Sequence, residues 1–162
     1  MTPVLLHLPH DSTVIPLADR ADYLISAADL SLEQLRLTDW HTAALYAEGV
    51  PADEIVRAEV SRLVVDVERF ADDRQERCSA FGMGATYVQT CDGRPLRSLS
   101  PGRRAELLDH YYWPHHRRLD EAAAEVCGDK GEPRRVEEAT LNAVGIAPDG
   151  KRKATFSAVY AC

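Results

Sequence analysis

The sequence predicts an α/β domain in which a mixed sheet is flanked by helices. Three observations carry that expectation. A short apolar run, VLLHL at residues 4–8, is halted by Pro9; two strand-like runs, IVRAEV and LVVDV, occupy residues 55–60 and 63–67, the second nearly continuous in Val and Leu; and helical apolar spacing fills residues 31–46 and 101–126. Strand-like and helix-like patterns that alternate along one chain are the mark of this class.

Each element has its own signal. VLLHL reads as a buried first strand feeding a loop, PHDSTVIP, bounded by Pro9 and Pro16. Ser31 and Gln34 have capping-box spacing, so a helix is expected to begin there. Leu35, Asp39, Ala43 and Tyr46 would then share one face, with Gly49-Val50-Pro51 ending the helix. The run LVVDV, residues 63–67, reads as a strand buried on both faces. Residues 71–99 are punctuated by Gly82, Gly84, Gly93 and Pro95 and read as a long loop or hairpin region. Ser100-Pro101 is a good helix start, with Ser as N-cap and Pro at the first helical position. Pro114, inside that helix, predicts a kink near His110–Pro114. After Val126 the chain turns charged and Gly/Pro-punctuated, with a weak apolar stretch LNAVGIA and a last apolar run, ATFSAVYA, that could form a final strand.

Composition narrows the function classes. The 162-residue chain fits one domain, and no apolar run approaches the ~20 residues of a membrane span. The formal net charge is −7, which repels phosphate backbones and anionic membranes, so neither nucleic acid nor membrane is an expected partner. The opening MTPVLLHLPHDS lacks the basic start of a signal peptide, and a cytoplasmic location is expected. Cys78, Cys91, Cys127 and Cys162 form no C-x-x-C pair and are assigned no role.

Chemistry-bearing residues fall in three places. His10 lies just beyond the first strand, where open α/β sheets place ligands, although a histidine there is ordinarily structural or exposed. Asp39 interrupts a stripe that should be apolar; a carboxylate on an inward helical face needs a partner or a metal, unless it caps a helix starting at Thr38 or Asp39. A hydrolytic zinc takes three protein ligands plus water, and His and Asp both qualify. Arg62 and Arg69 flank LVVDV. On an uninterrupted strand, seven residues apart, they would face opposite sides. Either guanidinium could hold a substrate carboxylate or simply pair with Asp66, Glu68, Asp72 or Asp73. His115 and His116 on the kinked helix read as ligand, supporting partner, proton carrier, or a solvated pair.

Four segments in order then carry a resemblance. LHLPHDSTVIP looks like an H-x-P-H-S-G/S-x-x-I-P signature, TDWHTAALY resembles a T-D-W motif, SRLVVDVERF is similar to S-R-x-V-V-D-x-x-R, and YYWPHHRRL to Y-x-x-P-Y/H-H-x-x-L. Together they resemble the zinc-dependent N-formylglutamate amidohydrolase family. The resemblance implies a phosphorylase/hydrolase-like fold related to zinc-dependent exopeptidases. It also implies release of formate from N-formyl-L-glutamate, a small anionic amino-acid substrate, as in histidine degradation. Carried onto this chain, it implies His10 and Asp39 as zinc ligands, Arg69 as the carboxylate-binding arginine with Arg62 second, and His116 as the catalytic or supporting helix histidine.

The resemblance covers a domain of residues 1–126. The family's later D-x-H-S motif, whose His is a natural third ligand, has no match here, since no His follows His116. Residues 127–162 are expected to be a divergent, partly disordered tail arising from truncation or a frame change, leaving the sheet incomplete at its C-terminal end. Zinc would then bind weakly or not at all, and a homo-oligomer could supply missing strands. The leading expectation is a metal-dependent hydrolase of N-formyl-L-glutamate or a similar N-acyl amino acid. The alternatives are an inactive remnant or small-molecule-binding α/β protein without a complete metal site, and an unrelated interaction module.

Overall fold

A computed structural model describes residues 4–127, 145–146, 152–153 and 159–161. In chain order the helices are α1 (Ala27–Leu37), α2 (Thr42–Tyr46), α3 (Pro101–Leu107) and α4 (Trp113–Cys127). The strands are β1 (Val4–Leu8), β2 (Ile55–Arg57), β3 (Gly145–Ile146), β4 (Arg152–Lys153) and β5 (Val159–Ala161). Strands and helices together make the α/β class that the sequence predicts. The chain divides into two compact units: one of Met1–Leu8, His41–Val56 and Leu119–Cys162, the other of Pro9–Trp40 and Arg57–Arg118.

In the first unit a three-stranded sheet has the order β2-β1-β5, with β1 and β5 antiparallel and Leu5 opposite Tyr160. Leu5, Leu6, His7 and Leu8 are all buried, so consecutive side chains on both faces of β1 are covered, as expected of a buried first strand. β5 falls within ATFSAVYA, and β3 within the weak apolar stretch before it. The rest of the expectation for residues 127–162 falls largely outside the described residues.

The second unit holds two apolar clusters. One is built on Ile15, Val60, Val64, Val65, Leu107 and Tyr112, among others, and the smaller on Leu63, Tyr87 and Leu96. Ser100 caps α3, its hydroxyl accepting from the Arg103 amide at 3.1 Å, with Pro101 at the first turn. The kink expected from Pro114 takes the form of a π-helical turn at Leu108–Tyr112. Proline has no N–H, and its ring crowds the carbonyl four residues back, which widens the turn that precedes it.

Three local expectations are corrected. α1 begins at Ala27 rather than Ser31: Ser26 is the N-cap, accepting from the Asp29 amide at 3.1 Å, while Ser31 lies inside and donates to the Ala27 carbonyl. The helix also stops before Asp39. Thr38 is extended (ψ 135°), and the Asp39 amide donates to the His10 carbonyl at 3.0 Å, so Asp39 sits in irregular main chain just past the helix rather than on a helical face.

The run LVVDV is the third correction. It is fully buried but forms no strand. Its backbone groups find partners elsewhere: the Val64 amide donates to the Ser61 carbonyl (2.8 Å), the Asp66 amide to Ala85 (2.8 Å), and the buried Arg97 guanidinium donates to the Val64 carbonyl (2.8 Å). A buried main chain must be satisfied, but a ladder is only one way to do it. Because the segment turns, Arg62 and Arg69 do not face opposite sides; both guanidinium groups reach the Asp66 carboxylate.

Candidate active site

Pro9 halts β1, and the next residue, His10, is buried in the second unit. Its Nε2 lies 2.8 Å from Asp66 Oδ1. Its Nδ1 faces two further carboxylates, Asp39 Oδ2 at 3.4 Å and Glu68 Oε2 at 3.5 Å. The amide of Asp39 donates to the carbonyl of His10, so the two residues are tied through the main chain as well. Burial alone would lower the pKa of His10, but the contacts with Asp39 and Asp66 outweigh it and raise the imidazole above its ordinary value.

Asp66 is fully buried and is the hub of the cluster. Its Oδ1 also accepts from the Glu68 amide (3.0 Å), and its Oδ2 accepts from Arg62 Nε (3.1 Å), Arg62 Nη2 (2.7 Å) and the Tyr87 hydroxyl (2.8 Å). Burial would raise this carboxyl; the hydrogen bond and charge of His10, with Arg62 and Tyr87, more than offset that and hold it well below the usual carboxylate range. The opposite holds for Glu68, where burial dominates and pushes the carboxyl up.

Among the five residues expected to form the site, the structure brings four into contact with this cluster. His10 and Asp39 face each other. Arg62 commits two donors to Asp66, and its Nη1 lies 3.5 Å from the Leu37 carbonyl. Arg69 approaches more loosely: its Nε is 3.6 Å from Asp66 Oδ2 and its Nη1 is 3.6 Å from Glu76 Oε1, and the buried Nε has no hydrogen-bond partner. The fifth, His116, bonds the main chain of the same segment, with Nε2 3.0 Å from the Val67 carbonyl, and its ring packs 4.3 Å from that of Tyr112. A carbonyl only accepts, so Nε2 is the donor and carries the proton.

Sequence reasoning passed over Asp66, Glu68 and Tyr87 as site residues. A signal for Asp66 was present: a carboxylate within an otherwise apolar run, VVDV, is as costly as one on an apolar helical face. Tyr87 had none, because it is brought in from the loop region by long-range packing.

The donor set can be compared with what a divalent cation requires. Three carboxylates (Asp39, Asp66, Glu68) face two guanidinium groups (Arg62, Arg69), which leaves one excess negative charge while His10 is neutral. Two ligands of a tetrahedral zinc, each about 2.0–2.2 Å from the ion, stand about 3.4 Å apart. His10 Nδ1 and Asp39 Oδ2 have that separation. They fit two of the three protein positions. Among the described residues no group of three or more His, Cys, Asp or Glu side chains is closed around a common point, so the third position needs Glu68 to move or another donor.

Comparison with known proteins adds lineage to this geometry. A family model described as N-formylglutamate amidohydrolase matches residues 2–136. A solved structure, the N-formylglutamate amidohydrolase from Ralstonia eutropha JMP134, is similar with a TM-score of 0.61 at 22% identity, over 78% of this chain and 53% of that one. At that identity the likeness carries the fold, and the chain spans about half the length of the solved relative. Comparison with curated proteins finds no match.

Proposed function

The chain belongs to the N-formylglutamate amidohydrolase family, and from that premise we propose that it hydrolyses the amide bond of N-formyl-L-glutamate or a similar N-acyl amino acid with the help of a divalent cation. The observation that carries the reading is His10, a buried imidazole whose two nitrogens each face a carboxylate, Asp39 on one side and Asp66 on the other. A histidine that ligates a metal ordinarily donates its other ring N–H to a carboxylate, and Asp66 stands in that place beside His10. The finer expectation of a phosphorylase/hydrolase-like mixed sheet belongs to the same reading, as do a cytoplasmic setting and an anionic amino acid as the molecule bound.

His10 and Asp39 are the residues that would hold zinc, with a third donor still to be assigned. Zinc bound there supplies a water with a pKa near 7 and polarises the acyl oxygen. The chain's own residues do the rest. Arg69 receives a substrate carboxylate, because its guanidinium is only loosely engaged and its buried Nε has bonding capacity left. Arg62, clamped on Asp66, contributes positive field and serves as the second candidate for that carboxylate. His116 supports the site by holding the Val67 carbonyl; any proton it carries in turnover passes through Nδ1. Glu68, solvent-accessible and with a raised pKa, stands where it can accept a proton from water.

The rival reading is a remnant or binding protein that keeps the substrate pocket and not the chemistry. It is favoured by the two-donor count at the cation position. Formate release separates the two. Purified full chain supplied with zinc chloride should release formate from N-formyl-L-glutamate, and faster than acetate from N-acetyl-L-glutamate. Folded, zinc-supplemented protein that binds N-formyl-L-glutamate without turnover would establish the remnant reading instead.

A further inference from the structure

The Asp66 carboxylate is held mainly by groups that donate. The groups that hydrogen-bond its carboxylate are the Arg62 guanidinium, the Tyr87 hydroxyl, the Glu68 amide and His10 Nε2, with Arg69 Nε farther off at 3.6 Å. A main-chain N–H and a guanidinium cannot accept, so the carboxylate accepts from Glu68 and Arg62; ionised in that setting, it has no proton to donate to Tyr87 or to His10 Nε2. Its position is fixed as well, since Asp66 and Tyr87 are fully buried and Arg62 is mostly so. That rigidity bears on His10. A neutral imidazole carries one proton, and its site is set by the better of the two available hydrogen bonds. At Nε2 the acceptor is 2.8 Å away; at Nδ1 the nearest carboxylate oxygens are at 3.4 and 3.5 Å. The shorter contact is an ordinary hydrogen bond and the longer ones are at or beyond the limit of one.

We infer that Asp66 is a positioning residue that keeps the proton of neutral His10 on Nε2, so that Nδ1 is the nitrogen His10 presents, toward Asp39 and Glu68. What Nδ1 then does rests on the proposed amidohydrolase reading; which nitrogen is presented rests on the geometry alone. The inference gives Asp66 a role that a plain ion pair with Arg62 would not. Arg62 and Tyr87 bind Oδ2, while Oδ1 is turned to His10, so one carboxylate anchors the fold with one oxygen and orients the ring with the other.

The test reads the tautomer directly. Full-length protein labelled with 15N-histidine is examined by NMR without metal, at a pH high enough for the His10 ring to be neutral, with His10→Ala to assign its signal. The expected result is a protonated Nε2 and an unprotonated Nδ1; a proton on Nδ1, or an even mixture, overturns the inference. Zinc chloride is then titrated into wild type and Asp66→Asn. Losing the partner of a ligating histidine typically weakens metal affinity 10–100-fold, and a loss of that size is expected in the variant with its circular dichroism unchanged. Undiminished affinity in Asp66→Asn overturns the inference. Should that variant fail to fold, the wild-type tautomer decides alone. A wild type with the expected tautomer that takes up no zinc upholds the role of Asp66 and overturns the amidohydrolase reading instead, so the two failures are distinct.

Discussion

His116 Nε2 donates to the carbonyl of Val67 across 3.0 Å, pinning from the long helix the residue that stands between Asp66 and Glu68. The contact ties the Y-x-x-P-Y/H-H-x-x-L segment to the S-R-x-V-V-D-x-x-R segment. A supporting role and a catalytic one differ in what replaces it. In His116→Gln a side-chain amide can still donate to the carbonyl, whereas His116→Ala leaves a carbonyl of the buried Val67 without its partner, at a cost of about 1–3 kcal/mol. Chemical denaturation should show that loss in the alanine variant and most of it restored in the glutamine variant. Formate release that fails equally in both folded variants would point to a proton carrier instead.

Asp66 should be the most sensitive side chain of the cluster. Asp66→Ala leaves Arg62, whose side chain is 14% exposed, without its carboxylate, and breaking a buried pair in this way costs about 3–5 kcal/mol. The pH dependence has a definite sign. The folded-state pKa of Asp66 is depressed, so its contribution is fully present above the unfolded value of about 3.9 and is lost as pH falls from there through the folded value. Urea midpoints of wild type and Asp66→Asn should therefore differ above about pH 4 and converge as pH falls below it.

At the alkaline end Tyr23 is one of several tyrosines with raised pKa values. Burial, partly offset by Arg97, pushes its pKa up to about 12, and its hydroxyl donates to the Leu63 carbonyl at 2.9 Å. A raised folded value means that the stabilisation is complete below the unfolded pKa of about 10 and is lost as pH rises through 12. Stability followed by guanidinium titration should fall across that window in wild type, and less steeply in Tyr23→Phe.

Arg69 should act on substrate affinity. Removing a charge-assisted carboxylate contact of about 1.5–3 kcal/mol in Arg69→Ala should raise KM for N-formyl-L-glutamate roughly 10–100-fold, with a smaller change in kcat. An unchanged KM in an active variant would reassign the substrate carboxylate to another residue, Arg62 first.

Much of this was legible where the determinants are local. The first strand, the Ser100-Pro101 helix start and the Pro114 disturbance each depend on a few adjacent residues, and each is found. The reading of Asp39 as a helical residue failed because the end of α1 is set by a distant partner: the Asp39 amide leaves the helical pattern to bond the His10 carbonyl. LVVDV looked like a strand because burial on both sides gives the same apolar pattern whether the main chain pairs with a neighbour or with the Ser61 carbonyl and Arg97. His10, Asp39, Arg62 and Arg69 could be named from motifs. Their convergence on Asp66 could not, since it depends on the turn that replaces the expected strand.

The most direct test is zinc uptake by the full chain and its two ligand variants, measured by calorimetric titration with zinc chloride. The account predicts one zinc per wild-type chain and loss of that binding in both His10→Ala and Asp39→Ala, with each variant still folded. Folded wild type that takes up no zinc, or variants that bind it as tightly as wild type, would contradict the account.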